Sequence, residues 1–432
     1  MVGLKPARKS VKLLTMTSQT NNFDVIIIGG GVVGAASAYE LSTRGAKVLV
    51  LDKGDMGYGC SYGNAGWLTP CFAMPLPMPG QFLKALGWLM DPESPLYIKP
   101  AFDPLLARWL LRFTLSMNKK LMLQSVAALT EISKFSLTAY AELAVKFPQI
   151  QFQRKGLLMA TKTQAGMEAA LEEMELVARH SIPGRRLNSD EVKKLEPALI
   201  GDILGGVYFP EEAHAEPLQV VKAFLQGAQA AGAQLRPGVE VQDYKIEGGS
   251  IREISTSAGN FRADQYLLAT GSWSTAIGKT LKLNIPVMGG KGYALILPPL
   301  EPSPKIPLML VEKKIAVTPR TDSLRLAGTL ELVNQDFSIT EKRVQAILRG
   351  AREFLAVPST PEIRETWRGL RPCTPDGVPV IDRSQKIQNL VIATGHQMLG
   401  LQSAPGSARL AADILLNTMP SFDPFSFRAE RF

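Results

Sequence analysis

Phe23-Asp24-Val25-Ile26-Ile27-Ile28-Gly29-Gly30-Gly31-Val32-Val33-Gly34 is a short β-branched apolar run that empties into three consecutive glycines. A run of that length, bounded in that way, predicts a strand buried on both faces. The glycines fit G-x-G-x-x-G at Gly29, Gly31 and Gly34, and a helix is expected from about Val32 to Arg44. In that setting the first glycine permits a tight turn, the second lets a pyrophosphate approach the backbone, and the third lets helix and strand pack closely. The helix start at Val32 and Val33 then offers free N–H groups and a positive dipole end to phosphates. Gly45 stops the helix, Lys47 to Leu51 form a second strand, and Asp52 closes it where a carboxylate accepts from a ribose diol. A glycine-rich helix start that merely packs would give no reason for Asp52, so the unit is read as dinucleotide-binding.

Working outward, residues from about Phe82 to Phe147 have a helical, lipophilic pattern with no catalytic motif. Beyond them come a strand at Gly156 to Ala160, a helix from Thr163 to Arg179, and a helix opened by a capping box at Asn188 and Glu191. Pro217 suits the first turn of a helix reaching Ala231. Tyr266-Leu-Leu-Ala-Thr-Gly271 and Leu390-Val-Ile-Ala-Thr-Gly395 share one form, an apolar strand running into a small-residue turn, as at the carboxyl edge of a cofactor-binding sheet. Between them, Ile285 to Leu332 alternates in the manner of an antiparallel sheet, with strands at Tyr293 to Leu297 and Leu324 to Leu330. Ser338 and Glu341 are expected to cap a surface helix reaching Leu355. The predicted fold is α/β, a Rossmann-like domain assembled from separated segments with an inserted α+β domain carrying the antiparallel sheet. The expected division is a disordered leader at 1–22, a nucleotide-binding domain at 23–80, 200–280 and 366–432, and a substrate or cap domain at 81–199 and 281–365.

Hydrophobic residues make up 46% and charged residues 20% of the chain, which places it with ordinary globular proteins rather than disordered ones. The net charge of +9 includes Lys5, Arg8, Lys9 and Lys12 in an acid-free leader. No aromatic-interleaved basic stripe follows, which argues against nucleic acid. The leader's apolar stretch is too short for a secretory signal, and Met16 offers a later start for a shorter product. Cys60, Cys71 and Cys373 have no CxxC spacing and no histidine cluster, so neither a disulfide frame nor a metal is indicated and a reducing cytoplasm fits. Charges such as Asp103, Arg108 and Arg112 interrupt the apolar windows, so no spanning helix is expected. The segment 81–125, with Phe82, Leu83, Leu86, Trp88, Leu89, Met90, Trp109, Leu110, Leu111 and Phe113 among basic residues, has two readings. It is either a cap over a substrate cavity, the favoured one, or a basic amphipathic face for peripheral membrane contact.

Five stretches together resemble the D-amino acid oxidase superfamily, in the branch of D-amino acid dehydrogenases and glycine oxidase. They are the βαβ unit with Asp52-Lys53, the loop Gly59-Cys60-Ser61-Tyr62-Gly63-Asn64-Ala65-Gly66, and Glu212-Ala-His-Ala-Glu-Pro217 with Gly238-Val-Glu-Val241. The others are Trp367-Arg-Gly-Leu-Arg-Pro-Cys-Thr-Pro-Asp-Gly377 and Ala393-Thr-Gly-His-Gln-Met-Leu-Gly-Leu401. Lys291-Gly-Tyr293 and Lys314 to Arg320 incline the resemblance to the dehydrogenases. It implies FAD, held by Gly29, Gly31, Val32, Val33, Gly34, Asp52 and Lys53, by Cys60, Ser61, Asn64, Ala65 and Gly66, and by the Val241 backbone at the adenine. Thr270, Gly271 and Trp273, then Gly395, Gln397, Met398, Leu399, Gly400 and Leu401, complete the implied contacts. Cys373 does not match the position of the cysteine that carries covalent flavin in sarcosine oxidases, so the implied FAD is noncovalent.

The resemblance also implies hydride transfer from an amino acid Cα to flavin N5, giving an imine, with quinone or oxygen as final acceptor. Arg371 is the expected carboxylate anchor, since a guanidinium matches a carboxylate with two parallel donors. The alternative for Arg371 is a structural ion pair with an acid such as Asp376. Tyr293 is a candidate to close over the carboxylate, and His396 to line the substrate cavity or tune the flavin, each against a packing or solvated alternative. Gln397 stands where dehydrogenase relatives commonly have glycine, which loosens any transfer of their substrate range. Oxygen-using glycine, sarcosine or proline-type amine oxidation and a silent flavin-binding subunit are the competing readings.

Overall fold

The computed structural model describes residues 22–80, 96–98 and 103–432. Asn22–Ile28 is the middle of five parallel strands ordered Gln234–Arg236, Val48–Leu51, Asn22–Ile28, Gly259–Leu268 and Leu390–Thr394. Their sequence separation follows from geometry, because parallel neighbours need a long crossover between them. Val380–Arg383 joins the Leu390–Thr394 edge antiparallel, and a hairpin of Val241–Glu247 and Ser250–Thr256 runs off the start of Gly259–Leu268.

Side chains alternate across the central strand. Val25 and Ile27 enter a core shared with the helices, while Ile26 and Ile28 enter the core on the opposite face with Leu49, Leu51 and Leu268. All four are buried, each worth about 1.5–3 kcal/mol, which makes this strand a fixed platform for the turn that follows. The helix Val32–Thr43 is poor in large side chains because it is packed on two sides, against Pro217–Ala230 and Gly400–Leu415.

Among the described residues the second sheet has nine strands and is mostly antiparallel, in the order Glu365–Cys373, Met288–Leu297, Leu324–Val333, Ile315–Pro319, Leu308–Leu310, Leu157–Thr161, Gly205–Phe209 and Arg185–Asn188. Leu96–Ile98 adds in parallel to Leu324–Val333. Its core is covered by Glu341–Arg352, which turns Val344, Ile347, Leu348 and Ala351 inward. Between the pairs Lys291↔Glu331 and Tyr293↔Gly328 one residue of the first strand, Gly292, faces two of the second, Thr329 and Leu330. That is a β-bulge, and Thr329 adopts φ +60 there.

Several expectations need correcting. Gly205–Phe209 and Glu365–Cys373 pair within the nine-stranded sheet, on the other side of the boundaries drawn at 200 and 366. Within the stretch read as helical, Leu96–Ile98 is a strand, while Pro104–Leu115 and Lys119–Lys146 are helices. Ser338 does not cap the next helix. Its N–H is taken by Asp336 Oδ1 at 2.8 Å, and the helix starts after Thr340 without a side-chain cap. The box at Asn188 and Glu191 does form. Trp109 and Phe113 face inward, stacked at 5.2 Å, and Trp109 donates to the Cys373 carbonyl at 3.0 Å. The leader and Phe82, Leu83, Leu86, Trp88, Leu89 and Met90 lie outside the described residues, among which no helix is long and apolar enough to cross a membrane.

Candidate active site

The glycine turn is built by close approach. Gly29 has φ +107, a conformation other residues avoid, and its N–H donates to the Leu51 carbonyl at 2.8 Å. A Cβ on Gly34 would lie 1.9 Å from the Gly29 carbonyl oxygen, so helix and strand meet at a distance only hydrogen permits. Asp52 does more than end its strand. Its Oδ2 accepts from Gly30 N–H at 2.7 Å and its Oδ1 from Gly54 N–H at 2.9 Å, so the carboxylate ties the glycine turn to the second strand. Ser61 Oγ accepts from Val32 N–H at 3.0 Å, fixing the 59–66 loop against the helix start.

These elements surround a cavity of about 500 Å³. Of the residues expected to hold a cofactor, Gly29, Gly31, Val32, Val33, Asp52, Lys53, Cys60, Ser61, Asn64, Val241, Thr270, Gly271, Trp273, Gln397, Gly400 and Leu401 line it, and so does His396. Gly34, Ala65, Gly66, Gly395, Met398 and Leu399 do not line it. Ala65 and Met398 nevertheless support the wall through their carbonyls, which accept from Thr318 Oγ1 and Asn64 Nδ2. Sequence reasoning passed over Tyr58, Ser272, Ala276, Ile277 and Pro372, all on the wall. Tyr58 lies in a glycine-dense stretch and Ser272 between two expected contacts, so local density was the available signal. Lys53 Nζ sits 4.6 Å over the Trp273 ring, which in turn stacks on Phe337 at 5.9 Å.

Arg371 does not itself line this cavity; it lies next to the wall, its chain neighbour Pro372 being a lining residue and its charge acting on the Cys60 thiol that faces the cavity. Its strand places it directly opposite Gly290, and its guanidinium folds over Gly292, where a Cβ would lie 2.0 Å from Nη1. Nη1 donates to the Thr329 carbonyl at 2.7 Å, and among the described residues no carboxylate pairs with it. Asp376, the acid that could have claimed it, is bound at 2.6 Å by Arg431. Burial, the largest influence, draws the Arg371 pKa below its ordinary value, partly offset by Cys60 and Cys373. The same burial pushes the Cys60 thiol up to about 11 and the Cys373 thiol up to about 12, so both remain protonated at neutral pH.

The structure does not bring Tyr293 to the cavity. It is fully buried, its hydroxyl donating to Glu331 Oε1 at 3.0 Å and accepting from Thr340 N–H at 3.0 Å. Glu331 also meets Lys291 at 3.3 Å and Arg343 at 3.0 Å, a buried charged group that anchors the 334–340 loop. Tyr293→Phe should therefore lower the unfolding free energy by about 1–3 kcal/mol in urea titrations and leave KM for substrate within about twofold, because it strips one partner from a buried carboxylate. A large rise in KM would restore Tyr293 to the binding site.

His396 is buried on the cavity wall with Nε2 3.0 Å from Ser407 Oγ, and burial pulls its pKa down to about 3. It is neutral near pH 7 and is no proton carrier there. The unfolded chain takes up this proton near the ordinary value of about 6.5 while the folded protein refuses it, so stability is lost as pH falls from there toward about 3. His396→Gln should flatten urea midpoints measured between about pH 6.5 and pH 4. His214, drawn down to about 4 by burial, adds to the acid sensitivity in the same direction, as do Asp336 and Asp413, whose carboxyls are held below their ordinary values by their hydrogen-bond partners.

A parallel sheet with a glycine turn, a terminal acid and a cavity at its carboxyl edge defines a dinucleotide-binding enzyme fold. The sequence model of the FAD dependent oxidoreductases matches residues 24–414, and the chain belongs to that family. It is 32% identical over 423 residues to a D-amino acid dehydrogenase of Chromohalobacter salexigens, covering 94% of this chain and 99% of the relative. Among solved structures, glycine oxidase from Bacillus cereus superposes with a TM-score of 0.74 at 24% identity, covering 94% of this chain and 98% of that one. L-proline dehydrogenase from P. horikoshii superposes with a TM-score of 0.77 at 19% identity, covering 95% and 98%. At those identities the two structures establish the shared fold.

The residues present fit FAD. The first turn of the Val32–Thr43 helix carries no acidic side chain, and Gly31 leaves its backbone open, with only Ser61 Oγ within reach of an added Cβ, at 3.4 Å. Two polar atoms on the cavity wall, Ser272 Oγ and Gln397 Nε2, are buried without a hydrogen-bond partner among the described residues, as expected of groups that serve a polar ligand.

Proposed function

We propose that this enzyme oxidatively deaminates amino acids, with D-amino acids as its substrates, and passes the electrons to a quinone in preference to oxygen. The observation that carries the proposal is Arg371: a guanidinium beside the cavity, held in place by one carbonyl and free of any carboxylate among the described residues. Desolvating a cation without a counter-ion is costly, and a substrate carboxylate removes that cost on binding. FAD, when bound, supplies the two-electron acceptor, and the chain's own task is to bind, orient and exclude water. Arg371 fixes the carboxylate end of the substrate, which turns a bimolecular search into a held geometry. The cavity-lining residues named above are the assigned cofactor contacts, with noncovalent attachment supported by the protonated state of Cys60 and Cys373. Neutral His396 contributes a wall of fixed polarity. The identity to a D-amino acid dehydrogenase supports the choice of stereoisomer.

The test is anaerobic mixing of the purified flavoprotein with D- and L-amino acids and their N-methyl forms, following loss of oxidised flavin absorbance. Bleaching by D-amino acids, with reoxidation by a soluble quinone faster than by air, is expected. Bleaching by glycine, sarcosine or proline alone would move the assignment to the amine oxidases, and no bleaching with any of them would leave only a flavin-binding subunit.

A further inference from the structure

Two local rules are broken at one residue next to Arg371. Thr329 has φ +60, a conformation that β-branched side chains rarely adopt, and it sits in the bulge opposite Gly292. Its hydroxyl Oγ1 is buried with no hydrogen-bond partner among the described residues. Strain and an orphaned polar atom are each unfavourable to folding, and their coincidence at one position points to a role outside folding. The same residue's carbonyl is the acceptor that holds Arg371 Nη1, at 2.7 Å. Covalent geometry keeps a threonine Oγ1 within roughly 4–5 Å of its own carbonyl oxygen. The orphaned hydroxyl therefore lies within the span of a single small ligand group bound at the guanidinium.

We infer that Thr329 is a substrate-binding residue: its backbone carbonyl orients the Arg371 guanidinium, and its hydroxyl donates a hydrogen bond to the carboxylate that Arg371 binds. The inference rests on the reading of Arg371 as carboxylate anchor. The bulge explains why both groups come from one residue. An extra residue in the Leu324–Val333 strand frees a carbonyl from the regular ladder, and that carbonyl accepts from Arg371, whose side chain reaches across the intervening Met288–Leu297 strand. Gly292 leaves room for the guanidinium that receives it. A hydroxyl suits the second position because it donates to a carboxylate without adding charge.

Thr329→Val tests the hydroxyl alone, since shape, β-branching and the carbonyl are all retained. KM for the amino acid and the inhibition constant for propionate, a carboxylate without an amine, should both rise about tenfold, with kcat little changed. Thr329→Ser keeps the hydroxyl and should keep both constants near the parent values. Thr329→Gly relieves the backbone strain, and it should melt no lower than the parent while showing the same loss of carboxylate affinity. If KM rises in Thr329→Val while propionate binds as before, the hydroxyl serves another part of the substrate and the assignment falls. Unchanged constants in all three variants also overturn it. Arg371→Met separates the two claims: loss of propionate binding there with none in Thr329→Val leaves the anchor standing and removes Thr329, whereas no loss in either removes the anchor.

Discussion

Arg371→Met should give a protein that melts at or above the parent temperature, carries as much flavin, and has a kcat/KM for amino acids lower by roughly 10²–10³-fold, about 3–4 kcal/mol. The two halves of that expectation have one cause. In the free enzyme the guanidinium is partly withdrawn from solvent, donates one hydrogen bond to Thr329, and lacks a carboxylate among the described residues. Methionine fills similar volume without an unpaired charge, so the loss of one hydrogen bond is offset and unfolding free energy should stay level or rise by about 1 kcal/mol. In the substrate complex the balance reverses, since the carboxylate then has no cation to meet. Thermal melts in the presence of propionate separate these effects directly: ligand should raise the parent's melting temperature and leave that of the variant unmoved. A variant that melts several degrees lower and keeps its KM would make Arg371 a structural residue.

The contrast between Arg371 and Tyr293 shows where sequence stops being informative. Both stood in persuasive local context, and both lie on neighbouring strands of one sheet, Arg371 in Glu365–Cys373 and Tyr293 in Met288–Leu297. What separates them is their partners. Tyr293 is claimed by Glu331, 38 residues on, and Asp376 is claimed by Arg431, 55 residues on, so one candidate is consumed by the core and the other is released. Pairings at that distance leave no periodic mark. Local chemistry fared differently. The βαβ unit, its glycines and the Asn188–Glu191 box are written within a few residues each, and they are found where expected. The same logic misplaced the cap at Ser338, because Asp336, two residues earlier, competes for the same N–H and also binds Lys291. Gly205–Phe209 looked like part of the nucleotide-binding segment because strand composition does not tell which of two sheets will accept it.

Gly31→Ala and Gly34→Ala should fail in different ways, and the difference tests whether the turn exists to bind a pyrophosphate. At Gly34 an added Cβ lies 1.9 Å from the Gly29 carbonyl oxygen, in a contact between backbone elements that no side-chain rotation relieves. The helix start must withdraw by more than about 1 Å from a strand buried on both faces, and close-packed interiors resist such a shift. Gly34→Ala should therefore lose flavin and melt well below the parent, by about 2–3 kcal/mol of unfolding free energy, in the range of overpacked cores. At Gly31 the added Cβ meets only Ser61 Oγ at 3.4 Å, an ordinary contact, and φ is −71, which any residue adopts. Gly31→Ala should then fold as stably as the parent when both are stripped of cofactor, yet bind FAD at least tenfold more weakly, because the methyl stands where the phosphates must approach the backbone. Flavin content on purification and melts of the stripped proteins measure both quantities. If Gly31→Ala emerges with its full complement of flavin, the phosphates do not pass over this turn, and the ligand of the 500 Å³ cavity must run along a different path.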